Sequence, residues 1–416
     1  MKLLIIIIVL LVVGTGIYLY SKSRANKKEP KPKPPEPPEP PKPEYKTVAE
    51  DLRVYTIKQK TGKPFILVNL FVPELLYSER ITDEIVEELF DTFCEKEVGN
   101  ACRAFMLSNH WAWKYSNWNS NPLLINNKGK FRLPDPEYAY ETMSEYINPT
   151  FEENMIKRIQ QVTKRKILFI DSLVDECGFH SKENAAWGSH WLNPANNTIN
   201  TSPNRHAYYL YTENPNDVQM QNTGKIIKAM IRYMLERIWN SLDAEQRKYF
   251  AVEVVNEGHA GEKFHIEIDE IINETLGENF PRWKRFTSTY RDDITPGIRQ
   301  GFTPVIHQIG TLDRYKERVP SYQCGVSNDG FTVYGEGNVR IPVQPPASVQ
   351  LLEKTYNDGN VLYETSDGHR HEDVRLPGGK KNTTAYKHWY DFSATEWDNM
   401  KKLGNKLLNL VSKGGK

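Results

Sequence analysis

Two glutamates in this 416-residue chain each follow a run of apolar and β-branched residues. Glu257 ends the segment YFAVEVVNE, directly after Asn256, and Glu364 ends NVLYE. Such runs are typical of buried strands, and a strand that ends in a carboxylate delivers that group to one edge of a sheet. The two glutamates are far apart in the sequence, so only the fold could bring them together.

Further side chains with binding chemistry follow other strand-like runs, and tryptophans are concentrated in the segments between them. Two facing carboxylates suit glycoside hydrolysis, in which one acid protonates the leaving oxygen and the other attacks the anomeric carbon or activates a water. An arginine keeps a neighbouring carboxylate ionised, an asparagine can bond a sugar hydroxyl, and tryptophan faces can stack on sugar rings. The candidate binding residues are Arg103, Trp111, Trp113, Trp187, Trp191, Asn256, His307 and Trp389.

The elements that must position these groups alternate between strand and helix along residues 46–416. This alternation predicts an α/β fold with a parallel sheet covered by helices, and eight strands favour a closed (β/α)8 TIM barrel with loop insertions. Residues 322–346 fit less well and are either a barrel strand or a β-rich insertion. The predicted strands are FILVNLFV, ACRAFML, KILFIDSL, YFAVEVVNE, RWKRFTSTY, FTPVIHQIG, NVLYETS and YKHWYDF.

Several of these segments resemble the retaining (β/α)8 glycoside hydrolases of clan A, and among them the cellulase- and mannanase-like family five. VEVVNEG is similar to the Asn-Glu signature at the end of strand four in that group. PVIHQ resembles its histidine-bearing strand six, NVLYETSDG the strand-seven segment that carries the nucleophile, and YKHWYDF the tryptophan-bearing strand eight. ITDEIVEELFDTFCEKEVGNACRAFM is similar to its first helix and second strand, whose arginine lies beside the nucleophile.

The resemblance implies a role for each matched residue. Glu257 would be the acid/base and Glu364 the nucleophile. The supporting residues would be Arg103, Asn256, His307 and Trp389. The implied activity is that of an O-glycosyl hydrolase, which cleaves a β-linked polysaccharide within the chain by a double displacement through two glutamates.

Other functions stay open at this point. The same barrel could be a carbohydrate-binding or structural surface protein without catalysis. A metal-dependent hydrolase that uses the histidines and acids of DGHRHED is a third possibility, although turn-like surroundings favour a solvated loop for that segment. No nucleotide-binding glycine loop follows the first strand and no CxxC pair occurs, so we expect no cofactor and no resident metal. A net charge of +1 gives no reason to expect nucleic acid as a partner.

The N-terminus predicts attachment to a membrane. Residues 3–20 are uncharged and apolar, long enough to span the hydrocarbon core of a bilayer as one helix, and a basic flank follows to residue 28. Residues 29–45 form a Pro-rich linker, which would hold a barrel domain of residues 46–416 away from the surface. The basic flank favours a cytoplasmic domain, whereas a polysaccharide substrate favours an extracellular or surface-displayed one, so the orientation stays open.

We expect the full-length protein to fractionate with membranes, and a variant that begins at Lys46 to be soluble and folded. The barrel domain supplies its own core, whereas the linker contributes none. Ultracentrifugation of both proteins, with N-terminal sequencing of the full-length one, tests this expectation. A full-length protein with an intact N-terminus in the soluble fraction would contradict it.

Overall fold

The structure is a computed structural model of the whole chain. It describes residues 69–71, 75–76, 82–95, 101–107, 121–176, 187–188, 190–256, 258–289 and 302–306, and short strands between 333 and 388. The chain divides into two units, Met1–Glu44 and Tyr45–Lys416, and every described residue belongs to the second. None of the helices in these ranges is long and apolar enough to cross a membrane. The predicted anchor, residues 3–20, lies outside the described residues.

Nine consecutive strand segments form one sheet in which every pairing is parallel. From β1 to β8 each strand pairs with the next along the chain, and β9 pairs with β1. The strands are β1 (Asn69–Phe71), β2 (Ala101–Phe105), β3 (Leu168–Ser172), β4 (Phe250–Glu253), β5 (Arg285–Thr289), β6 (Thr303–Ile306), β7 (Val333–Tyr334), β8 (Val361–Leu362) and β9 (Ser366–Asp367).

The segments β8 and β9 close the sheet into a barrel. Only residues 363–365 separate them, and together they connect β7 on one side to β1 on the other. The ring therefore has eight strand positions, the last of them interrupted, and the predicted (β/α)8 barrel is confirmed.

The strand numbering differs from the sequence prediction after β6. The first six predicted strands are present, but the seventh position is filled by Val333–Tyr334, from the segment that had been left open. NVLYETS consequently occupies the eighth position and not the seventh. A two-residue strand between glycines and polar residues is too short to give a periodic pattern, which explains why the sequence did not reveal it.

YKHWYDF is not a barrel strand. Within it, β13 (Tyr386–His388) pairs antiparallel with β10 (His369–His371). A second antiparallel pair joins β11 (Val374–Arg375) to β12 (Lys381–Asn382). The segment DGHRHED, expected to be a solvated loop, therefore contributes Asp367 to β9 and all of β10.

Helices lie between the strands. Thr82 caps the first of them, because its hydroxyl accepts a hydrogen bond from the Ile85 backbone amide over 3.4 Å. The last begins after Gly261 and ends at Gly277, whose φ of 93° is a conformation that glycine adopts without strain. The helices are α1 (Asp83–Glu95), α2 (Ala139–Thr142), α3 (Pro149–Lys164), α4 (Ala207–Leu210), α5 (Val218–Ser241) and α6 (Glu262–Leu276).

Each barrel strand has one side toward the helices and one toward the barrel interior. Phe169 and Phe250 stack on the helix side, with ring centroids 6.4 Å apart, and Trp239 of α5 packs on Phe250 at 6.3 Å. Side chains alternate along a strand, so Arg103 and Glu253 lie on the opposite side, in the interior. The main apolar core is thus the layer between sheet and helices.

Asp171 is an exception in that apolar layer. Its register partners on the neighbouring strands are Ala104 and Val252, both part of the core, so it lies on the helix side and not at the barrel rim. It is fully buried, and neither carboxylate oxygen has a hydrogen-bond partner among the residues that the structure describes. Burial raises the pKa of Asp171 well above its usual range, so the folded protein holds it as a neutral acid at acidic pH.

We expect Asp171→Asn to become increasingly stabilising, relative to wild type, as the pH rises. The pKa of Asp171 is higher in the folded than in the unfolded state. The raised pKa therefore adds to the free energy of unfolding in full below the unfolded-state pKa of about 3.9. This contribution is lost as the pH rises through the folded-state pKa. Denaturant unfolding of both proteins between pH 4 and 8 measures this difference. If the difference in stability between the two proteins does not change with pH, the raised pKa of Asp171 is contradicted.

Candidate active site

A buried ion pair lies inside the barrel, between β2 and β4. Nε and Nη2 of Arg103 donate to Oε2 of Glu253 over 2.8 Å and 2.6 Å. Arg103 is 1% exposed and Glu253 is not exposed at all. Removing one member of such a pair leaves an uncompensated buried charge and typically costs about 3–5 kcal/mol. The pair therefore fixes the position of the arginine.

The same guanidinium fixes the side chain of Asn256. Nη2 of Arg103 donates to Asn256 Oδ1 over 2.5 Å, and Asn256 Nδ2 donates to Asp175 Oδ1 over 2.8 Å. An arginine can only donate and an ionised carboxylate only accepts, so the orientation of the amide is determined. Asn256 uses one of its two amide hydrogens on Asp175, and the second hydrogen can serve a ligand.

Backbone contacts extend this arrangement beyond the strand ends. The backbone amide of Asn256 donates to the Val174 carbonyl over 2.7 Å, and the backbone amide of Glu176 donates to the backbone carbonyl of Asn256 over 3.1 Å. The segments that follow β3 and β4 are therefore held together side by side. Asn256 ends this paired stretch, and the next residue along the chain is Glu257.

Arg103 and Asn256 are the two predicted site residues that the structure brings into contact. Their partner Glu253 was not among the candidates, and neither was Asp175. A signal for Glu253 is present in the sequence, because it is a charged residue within the apolar run FAVEVV. Such a residue in a buried strand requires a partner of opposite charge. The two acids of DSLVDE, directly after β3, are a comparable signal.

Trp191 was predicted to stack on sugar rings, and this prediction is wrong. The residue is 1% exposed and belongs to the apolar core. The His190 ring stacks on Trp191 at 5.3 Å and on Trp187 at 5.6 Å between centroids. Burial lowers the pKa of His190 to about 3, so a neutral imidazole separates the two indoles. Trp187 is only partly buried and stays a candidate for ligand contact.

The remaining predicted site residues lie outside the described residues. Their roles stay predictions. For Glu364 the strand assignment changes, because in the sequence it falls between β8 and β9 and not after the seventh strand. These residues are Trp111, Trp113, Glu257, His307, Glu364 and Trp389.

The renumbering of the strands draws attention to a further glutamate. β7 ends at Tyr334, and Glu336 follows two residues later in the segment TVYGEGN. Glu336 is not among the residues predicted from the sequence, because the two-residue strand before it has no recognisable pattern. The resemblance described above gives the nucleophile to the seventh strand, and Glu336 is the acid that follows this strand most closely.

No group of three or more His, Cys, Asp or Glu residues suited to a metal ion occurs in the part of the chain that the structure describes. The cysteines in this part, Cys94 and Cys102, are both buried.

Comparisons with known proteins give structural but not sequence matches. No protein-family model and no curated protein matches the sequence. The fold is similar to a glycoside hydrolase family 5 mannosidase from Rhizomucor miehei, with 11% identity and a TM-score of 0.49, over 89% of this chain and 99% of that one. It is also similar to an endo-1,4-β-D-mannanase from Thermotoga petrophila, with 12% identity and a TM-score of 0.46, over 82% and 99%. A tri-modular endo-β-1,4-glucanase from Bacillus licheniformis matches with 11% identity and a TM-score of 0.46, over 87% and 61%. The barrel assignment itself is based on the strand pairing of this chain.

Proposed function

We propose that this chain is a retaining endo-glycoside hydrolase that acts on a β-linked polysaccharide. The observation that carries the proposal is the fixed amide of Asn256, held between Arg103 and Asp175 immediately before Glu257. An amide with one hydrogen available can donate to the 2-hydroxyl of a sugar, a contact that strengthens in the transition state. The neighbouring carboxyl group would then face the glycosidic oxygen of the same sugar.

Glu257 acts in both halves of the proposed reaction. In the first half it donates its proton to the leaving oxygen, while the nucleophile attacks the anomeric carbon and the glycosidic bond breaks. In the second half the Glu257 carboxylate takes a proton from a water, which attacks the anomeric carbon and releases the sugar with retained configuration.

Two glutamates compete for the role of nucleophile. The strand order favours Glu336, because it follows β7 directly along the chain. Glu364 is the alternative, and it lies between the two segments of the eighth strand position. Both would reach the C-terminal face of the barrel, where active sites of this fold are found. Mutagenesis can separate them.

The proposal includes the attachment predicted from the N-terminus. A helix of residues 3–20 would anchor the protein, and the Pro-rich linker would hold the barrel domain near an insoluble or surface-bound polysaccharide. Trp187, with Trp111, Trp113, His307 and Trp389, is proposed to contact the sugar chain.

Single substitutions should separate the roles of the three glutamates. We expect Glu336→Ala to abolish turnover of β-mannan and β-glucan, measured as reducing sugar, and Glu364→Ala to retain measurable activity. Glu257→Ala should lose about 10²–10⁴-fold on these substrates, the usual contribution of a general acid or base. It should keep a fast first step on 2,4-dinitrophenyl glycosides, whose leaving group needs no proton. Azide should then restore turnover of these glycosides and yield a β-glycosyl azide.

Glu278→Ala, at an exposed position after α6, is the matched control and should be fully active. If Glu364→Ala has no turnover while Glu336→Ala stays active, the nucleophile is Glu364 and not Glu336. A wild-type protein that binds these polysaccharides without cleaving any of them would favour the carbohydrate-binding barrel instead.

A further inference from the structure

A fully buried carboxylate, Glu176, contacts the residues that come before and after Glu257 in the chain. Its Oε2 accepts a hydrogen bond of 2.5 Å from the backbone amide of His259. Its own backbone amide donates to the carbonyl of Asn256 over 3.1 Å. One residue thus holds the chain on both sides of Glu257, by its side chain after it and by its backbone before it.

Three side chains hold the Glu176 carboxylate in place. The hydroxyl of Tyr208 donates to Oε2, and Nδ1 of His206 lies 2.9 Å from Oε1. Nδ1 of His259 lies 3.4 Å from the same Oε1. Arg205 donates to Nε2 of His206 over 3.1 Å, which requires the proton of a neutral His206 ring to be on Nδ1, directed at the carboxylate.

Gly258 shows how closely the turn approaches this carboxylate. A Cβ atom at this position would lie 2.9 Å from Oε2 of Glu176 and 1.9 Å from Cγ1 of Val255. A side chain at residue 258 would therefore displace Val255 or Glu176, so the close approach of the chain to this carboxylate depends on glycine.

The carboxylate also affects the tyrosines around it. Burial and the Glu176 charge raise the pKa of Tyr208 well above its usual range, so its hydroxyl keeps the proton that it donates. Burial and the same charge raise the pKa of Tyr209 to about 12. Both tyrosine hydroxyls therefore keep their protons at neutral pH.

From these contacts we infer that Glu176 is a positioning residue, which fixes the turn from Asn256 to His259 and thereby aims Glu257 at the glycosidic oxygen. This inference rests on the proposed role of Glu257 as the acid/base. Glu176 needs no contact with the substrate for this. A displacement of about 1 Å in a catalytic group can reduce the rate by about 10²-fold, so a turn held at both ends is of direct use to the reaction.

The test uses two variants and two leaving groups. Glu176→Ala removes the acceptor of the His259 amide, whereas Glu176→Gln keeps one oxygen to accept it. We expect Glu176→Ala to lower kcat/KM, which reports the first half of the reaction, by about 10²-fold on a 4-methoxyphenyl β-glycoside, which needs an acid. The loss of kcat/KM should be less than about 5-fold on the 2,4-dinitrophenyl glycoside, which needs no acid in that half. Glu176→Gln should retain most of the activity on both substrates.

A structural role alone would lower kcat/KM equally for both leaving groups, and that result would overturn the inference. Glu267→Ala is the matched control, because Glu267 also accepts from a tyrosine hydroxyl, that of Tyr211, but lies on α6 in the helix layer. It should give no preference between leaving groups. In a Glu257→Ala background, Glu176→Ala should add no further loss on the methoxyphenyl substrate, and additive losses would contradict a role through Glu257.

Hydrogen exchange tests the same inference without measuring activity, so it applies even if a variant is inactive for another reason. Hydrogen exchange of residues 254–261 should be faster in Glu176→Ala than in wild type, with normal protection of β2 and β3, and close to wild type in Glu176→Gln. Unchanged protection of the turn in Glu176→Ala would overturn the inference. If Glu257→Ala retains wild-type rates on both leaving groups, the proposed function itself fails, and that result is obtained without any Glu176 variant.

Discussion

The arrangement at the barrel rim depends on the ion pair between Arg103 and Glu253. Both charges are removed from water, so each is tolerable only because the other is within hydrogen-bond distance. The aromatic ring of Phe105 adds to the confinement, since the guanidinium carbon lies 5.3 Å from its centroid. The pair is a fixed, nearly neutral unit, and Nη2 of the same guanidinium also donates to Asn256.

The next residues are fixed through contacts with this pair. Arg103 orients the side chain of Asn256, and Asp175 accepts a hydrogen bond from the Asn256 amide nitrogen. The backbone beyond it is then held by Glu176. Each contact joins a donor atom to an acceptor atom, and together they fix the backbone of Asn256 and His259.

The sequence predicted the barrel well because its signals are local and repeated. The six strands up to β6 and the four long helices in the described part of the chain each have their own pattern of apolar residues. It failed where a signal was short or depended on distant residues. Val333–Tyr334 has two residues and no detectable period, which moved the eighth strand to the seventh position. Trp191 has the same composition around it as a surface tryptophan, and only the packing of His190 and the core reveals that it is buried.

In the candidate site, residue type and position after a strand predicted Arg103 and Asn256, but they did not predict the partners of these two residues. Glu253 and Asp175 become meaningful only once the register places neighbouring strands side by side, since the contacts join residues about 80 to 150 positions apart.

The interrupted last strand has a consequence for how the protein is made. Leu70 of the first strand pairs with Ser366 of the last, so at ribosomal rates about 300 residues must be synthesised between them, which takes about 15 to 60 seconds. During that time one edge of β1 has no strand to pair with, and an open edge can pair with another chain. Completion of the barrel is therefore a late event in biosynthesis, and the nascent chain needs protection of that edge until the final segment emerges.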